Sequence, residues 1–209
     1  MIALGTIAPD FTAETTIGSV NFHEYVGDSW CVFFSYPRNF SGVCMTELGM
    51  GSRMQDVFAA RNTKLLAISI ADSQKQKDWS SDFAGVQGCD LNFPLVADPN
   101  AEVATLYQMM HPAHAEGITC RSLFIIDPNK KIRFYAMYPA SVGRNFDEIV
   151  RIIDSLQVTD KHGLATPANW TPGNTAVIPP AMADDAAKVK YPQGFDTLAP
   201  YLRMTTVPK

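Results

Sequence analysis

No stretch of this 209-residue chain approaches the ~20 consecutive apolar residues that a membrane-spanning helix requires. The opening Met1-Ile2-Ala3-Leu4-Gly5-Thr6 lacks a basic segment leading into a sustained apolar run, so it does not read as a secretory signal. Nor is there a block of lysine and arginine. With 17 basic residues against 21 acidic and a formal charge of −4, little is available to counter a phosphate backbone, and nucleic acid is not an expected partner. A Cys-x-x-Cys pair is also missing, which argues against a dithiol reductase. The cysteines are few and irregularly spaced, at 31, 44, 89 and 120, with none beyond Cys120. This usage suits a reducing cytosol better than a disulfide-stapled secreted domain, so a cytoplasmic protein is expected. Repeats and low-complexity tracts are absent as well.

What is present is an alternation of apolar runs and helical patterns, the signature of an α/β domain. Strands are predicted at roughly 30–36, 64–71, 93–97, 122–127 and 132–138, and helices at roughly 43–61, 73–84, 100–110 and 145–157. Gly49 and Gly51 predict a kink or split within the first of these helices. Asp127-Pro128-Asn129-Lys130 reads as a hairpin turn, so part of the sheet should be antiparallel. Past residue 164 the texture changes: seven of the fourteen prolines fall there. The expected organisation is a domain over 1–164 and a C-terminal arm over 165–209. Trp170, Tyr191, Phe195, Leu198 and Tyr201 require that arm to pack, on its own domain or on a partner subunit.

The segment Tyr36-Pro37-Arg38-Asn39-Phe40-Ser41-Gly42-Val43-Cys44 carries the chemistry. An apolar strand, Trp30-Cys31-Val32-Phe33-Phe34, is ended by Pro37, and Ser41 reads as the cap of a helix whose first turn holds Cys44. Unpaired amide N–H groups and the positive end of the helix dipole then surround one sulfur. Such surroundings favour a thiolate, the reactive form of cysteine.

The run Pro37-x3-Ser41-x2-Cys44 resembles the peroxiredoxin active-site motif. Ala8-Pro9-Asp10-Phe11, Thr46-Glu47-Leu48-Gly49, Tyr138-Pro139-Ala140, Gly143-Arg144-Asn145-Phe146-Asp147-Glu148 and Ala165-Thr166-Pro167 extend the resemblance, to the one-cysteine subfamily, over essentially the whole chain. The resemblance implies a thioredoxin-like α/β fold with a C-terminal extension and a peroxidase acting on hydrogen peroxide and organic hydroperoxides. Cys44 would be the nucleophile and would become a sulfenic acid. Ser41 would donate to the peroxide together with the amides of Val43 and Cys44, and Pro37 would shield the sulfur from water. Arg121 matches the family's active-site arginine, and Glu47 with Arg144 would hold it in place. No metal or organic cofactor is implied. An external thiol is expected to restore Cys44, since no cysteine stands in the C-terminal region, with Cys89 or Cys120 as the alternative resolving thiol. A homodimer, or a larger ring, is expected by the same resemblance.

Other residues invite plainer accounts. Cys31 belongs to an apolar strand and reads as core, Cys89 as a loop thiol and Cys120 as structural. His111-x2-His114 lacks a third ligand nearby and reads as loop. A rival activity is a phospholipase-type hydrolase. Gly27-Asp28-Ser29-Trp30-Cys31 and His23 keep two positions of a triad seen in some one-cysteine members. Its acid position is Asn129, however, and an amide cannot stabilise an imidazolium as a carboxylate does. Asp127 would substitute only if the turn moved. An oligomeric holdase is the remaining rival.

Overall fold

The computed structural model describes residues 2–112 and 117–208 and divides the chain into two compact units, 1–146 and 147–209. The first opens with a hairpin, β1 (Thr12–Thr15) and β2 (Gly18–Asn21), and a short helix, α1 (Phe22–Val26), capped by the Asn21 side chain. There follow β3 (Trp30–Ser35), α2 (Gly42–Arg53), α3 (Gln55–Ala59), β4 (Thr63–Ser69), α4 (Ser73–Ser81) and α5 (Phe83–Gln87). The unit is completed by β5 (Leu95–Ala97), α6 (Glu102–Leu106), β6 (Arg121–Ile126) and β7 (Ile132–Tyr138).

Seven strands form one sheet in the order β2-β1-β5-β4-β3-β6-β7. β3, β4 and β5 run parallel, and β6 pairs antiparallel with both β3 and β7, as the turn at 127–130 predicts. β3 lies centrally and all six of its residues are buried, which is why its sequence is a continuous apolar run rather than an alternating one. Alternation still sorts its side chains. Cys31 and Phe33 join a core with Phe22, Tyr107, Phe124 and Ile126, in which the Phe33 and Tyr107 rings meet edge to face at 5.0 Å. Phe34 faces the other way, toward Phe93 and Phe146. By the same alternation along β6, Arg121 projects to the face opposite that of Phe124, the side where Phe34 lies.

The helix expected over 43–61 is divided at Met54, not at its glycines. Gly49 and Gly51 serve close packing instead: a Cβ at Gly49 would stand 2.0 Å from Gln87 Oε1, and one at Gly51 would stand 3.1 Å from the Phe93 ring. The helix expected over 100–110 shrinks to α6, because Gln108 takes a left-handed backbone (φ 54°) and ends it.

The second unit holds most of α7 (Phe146–His162), then β8 (Ala176–Ile178), α8 (Asp184–Lys190), β9 (Asp196–Ala199) and β10 (Leu202–Thr205). The strands form an antiparallel sheet in the order β8-β10-β9. Its small core gathers Leu164, Ala176, Ile178, Ala187 and Tyr191, with Phe195 against it. The unit boundary precedes the change of texture at 164 because α7 is tied to the later segment. Arg151 donates to Trp170 O (3.1 Å), Ser155 pairs with Thr166, and the Tyr191 hydroxyl donates to His162 O (3.0 Å). Trp170 and Tyr191 are buried within the unit, whereas Leu198 and Tyr201 remain 68% and 72% exposed.

Candidate active site

Cys44 is the third residue of α2, and its sulfur is fully buried. Ser41 occupies the cap position with extended backbone (φ −112°, ψ 132°), but its hydroxyl makes no capping bond. The expected cap is therefore present in position only, and the hydroxyl is left uncommitted to the helix. The amides of Gly42, Val43 and Cys44 begin the helix and have no carbonyl one turn behind them. Pro37, two residues beyond the end of β3, is buried.

One guanidinium completes the surroundings of the sulfur. Arg121, the first residue of β6, places Nη1 3.3 Å from Cys44 Sγ and 2.7 Å from Glu47 Oε2. A single nitrogen spans both because Cys44 and Glu47, three residues apart, share a face of α2. The remaining Arg121 donors, Nε and Nη2, reach Ala140 O at 2.9 and 2.5 Å. Glu47 also accepts from Arg144 through Nε (2.9 Å), Nη2 (2.6 Å) and its backbone amide (2.9 Å). Arg144 Nη1 in turn donates to Ser35 O and Ser122 O, and its guanidinium lies 4.6 Å from the centre of the Phe34 ring. Burial pulls the Arg144 guanidinium below its ordinary value, opposed by the Glu47 carboxylate. Two buried guanidiniums thus face one carboxylate. The positive charge left over lies beside Cys44 Sγ.

All six residues singled out in the sequence, Pro37, Ser41, Cys44, Glu47, Arg121 and Arg144, fall in this region of the first unit. The sequence reading missed the layer that holds the loop. The Tyr36 hydroxyl donates to Gln76 Oε1 at 2.5 Å, and Asn39 Nδ2 donates to the same oxygen at 3.2 Å. Gln76 Nε2 donates to Ser69 Oγ (3.1 Å) and Val96 O (3.0 Å), and Ser69 Oγ donates to Asn39 Oδ1 (3.1 Å). Burial pushes the Tyr36 phenol well above its usual range, so it stays a donor. A glutamine on a polar helix carries no sequence signal of this role. The Ala140 carbonyl lay within a motif already noticed, Tyr138-Pro139-Ala140.

The other candidates disperse. Cys31 is entirely buried in the core, and hydrocarbon burial pushes its thiol far up. Cys89 and Cys120 are half-buried, and all four cysteines are free. Cys120 directly precedes Arg121 in extended chain, so alternation turns its side chain away from Cys44. Ser29 Oγ donates to Asn62 Oδ1 (2.9 Å), while His23 Nε2 pairs with Ala8 O (2.8 Å). Asp127 is taken up by Arg133 (3.2 Å) and the Lys131 amide (2.9 Å), so the hydrolase triad is not favoured. His114 lies outside the described residues, and among the described residues no group of His, Cys, Asp or Glu is placed to hold a metal. No described helix is long and apolar enough to cross a membrane.

A mixed sheet flanked by helices, with a cysteine at a helix N-terminus beside a buried arginine, defines a thiol-dependent peroxidase of thioredoxin-like fold. Comparison with known proteins agrees. The AhpC/TSA family model matches residues 4–135, and the model for the C-terminal domain of 1-Cys peroxiredoxin matches residues 155–194. The chain is 41% identical to the 1-Cys peroxiredoxin of Dictyostelium discoideum over 99% of its own length and 86% of that protein's. It is 40% identical to Peroxiredoxin-6 of Rattus norvegicus, covering 99% and 98% of the two. Among solved structures, a mutant of the Peroxiredoxin 6 of Arenicola marina matches with a TM-score of 0.95 at 40% identity, covering 100% of both chains. A yeast mitochondrial 1-Cys peroxiredoxin, studied for thiol resolution via glutathione/thioredoxin systems, matches with a TM-score of 0.93 at 40% identity over 99% of this chain and 100% of its own. The chain belongs to the AhpC/TSA family, in its one-cysteine peroxiredoxin branch.

Proposed function

We propose that Cys44 is the peroxidatic nucleophile, that Ser41, Arg121 and the first amides of α2 bind the peroxide, and that Glu47 and Arg144 position Arg121. The 3.3 Å approach of Arg121 Nη1 to Cys44 Sγ is the observation that carries this reading. The Cys44 thiolate attacks the terminal oxygen of R–O–OH. A sulfur–oxygen bond forms, the O–O bond breaks, and R–O⁻ departs and takes a proton from water. The donors around the departing oxygen are fixed before the reaction begins, so little reorganisation is needed as its charge grows. Pro37 keeps bulk water from the sulfur.

The product is a sulfenic acid at Cys44. An external thiol then condenses with it, releasing water and leaving a mixed disulfide. A second thiol reduces that disulfide to regenerate Cys44 and carries away the oxidised pair. Support for an external reductant is the placement of Cys31 in the core and of Cys120 on the strand face opposite Arg121. A reducing, cytosolic compartment suits both this chemistry and four free cysteines. For the assembly the reading is a homodimer, supported by apolar side chains exposed at the edge strand β7 (Tyr135, Met137) and, in the second unit, by Leu198 and Tyr201. Sedimentation at micromolar concentration tests it, and a monomer would refute it. The catalytic reading is tested by peroxide consumption with a dithiol reductant. Cys44→Ser is expected to be inert, and turnover surviving in that variant would remove Cys44 from the mechanism.

A further inference from the structure

The second unit holds a cleft of about 560 Å³, and every residue that lines it belongs to that unit. Asp154, Gln157, Val158, Lys161 and His162 form one wall. Their spacing of i, i+3, i+4, i+7 and i+8 sets them in a single stripe along α7. Trp170 and the turn that follows it add a second wall, and Val207 and Pro208, beyond β10, a third. The turn is fixed to the indole: Trp170 Nε1 donates to Asn174 O (3.2 Å), and Asn174 Nδ2 donates to Thr171 Oγ1 (3.1 Å). Arg151, paired with Glu148 on α7, holds Trp170 O at 3.1 Å. The cleft is therefore formed before anything enters it, and little ordering is left for a ligand to impose.

Its charge is uneven. Lys161 and His162, in the last turn of α7, line one end, and neither the ammonium nor the imidazole has a hydrogen-bond or carboxylate partner among the described residues. Burial, with Lys161 and with Lys190 of α8 nearby, holds that imidazole below its ordinary value of 6.5, the mark of a positive potential. The last carbonyls of α7 offset it only in part, since a helix terminus carries about half a charge. Asp154 stands two turns back on the same stripe, about 10 Å along the axis, so the other end carries a carboxylate. Val158 and Trp170 lie between these ends in sequence or against them in space, and give the cleft an apolar surface. We propose that it binds a small monocarboxylate with an apolar body, the carboxylate at Lys161 and His162 and the body along Val158, Trp170 and Val207. Asp154 repels a second anionic group, so dicarboxylates and phosphorylated ligands are disfavoured. None of Pro37, Ser41, Cys44, Glu47, Arg121 and Arg144 lines the cleft, so the site stands whether or not the peroxidase reading does.

The test is isothermal titration of the full chain with three probes: 2-naphthoate, naphthalene-2,6-dicarboxylate, and 2-naphthylmethylammonium, which keeps the rings and reverses the charge. One 2-naphthoate per chain is expected, with a Kd on the order of 100 μM. The other two probes should bind at least about tenfold more weakly. Lys161 is exposed, so its replacement leaves the fold intact. Lys161→Glu is expected to weaken 2-naphthoate by about tenfold or more, Lys161→Arg to retain it, and both to leave peroxide turnover unchanged. No saturable binding at millimolar 2-naphthoate, equal affinity for the ammonium probe, or an unchanged Kd in Lys161→Glu would overturn the site. An oligomer that Lys161→Glu splits, from a parent that takes up no 2-naphthoate, would give the cleft to a second copy and equally overturn it.

Discussion

Cys31 and Cys44 are both fully buried cysteines of the first unit, one inside the central strand β3 and the other in the first turn of α2. Around Cys31 stand Phe22, Phe33 and Leu66, and hydrocarbon drives its thiol toward the neutral form. Beside Cys44 stand a guanidinium at 3.3 Å and a helix N-terminus. Burial alone therefore does not make the surroundings of two cysteines alike. The same exclusion of water that disfavours ionisation of Cys31 strengthens the Arg121–Glu47 pair beside Cys44, where a cation is buried.

Substitutions can break or sharpen that contrast. Losing the sulfur has the largest effect: Cys44→Ser is expected to reduce peroxide turnover to a trace, measured by coupled oxidation of a thiol. Next is Glu47→Ala, which leaves two guanidiniums buried without a carboxylate. Breaking a buried pair in this way costs about 3–5 kcal/mol, read as a fall in the urea midpoint, and peroxide turnover falls with it. Arg121→Ala removes a fixed donor, for which a ~10²–10³-fold loss in kcat is typical. Arg121→Lys should recover only part, since one ammonium cannot serve Cys44, Glu47 and Ala140 O together. Cys31→Ala, the inert half of the comparison, should cost about 1 kcal/mol of stability and leave peroxide turnover unchanged.

The smallest effect is one of pH and belongs to the second unit. Burial, with Lys161 and Lys190 nearby, holds His162 below its ordinary value of 6.5. The unfolded chain therefore takes up this proton first, and the stability it contributes declines as pH falls below 6.5 toward the folded value. His162→Gln should lessen that acid loss in thermal unfolding, and an identical pH dependence would exclude His162 as its source.

The Cys44 segment was legible because several constraints coincide within the fifteen residues from Trp30 to Cys44: an apolar run, a proline that ends it, a capping residue, then cysteine. The central strands were legible for a related reason, since β3 and β6 are buried on both faces and carry the apolar runs Trp30 to Phe34 and Leu123 to Ile126. Arg121, Glu47 and Arg144 come from three separate segments, and their meeting follows from tertiary structure. Only the resemblance to a known family linked them in the sequence. The hairpin β1–β2 and the strands β8–β10 escaped notice because they are three or four residues long and partly exposed, so their alternation is too short to register. Gly49 and Gly51 misled because a glycine needed for close packing looks in sequence like one that bends a helix.

The central claim meets its most direct test in peptide-mapped mass spectrometry after one equivalent of hydrogen peroxide, with dimedone present to trap sulfenic acid. The account predicts a single adduct on Cys44, with Cys31, Cys89 and Cys120 unmodified. An adduct on any of those three, with Cys44 left as a free thiol, would contradict it.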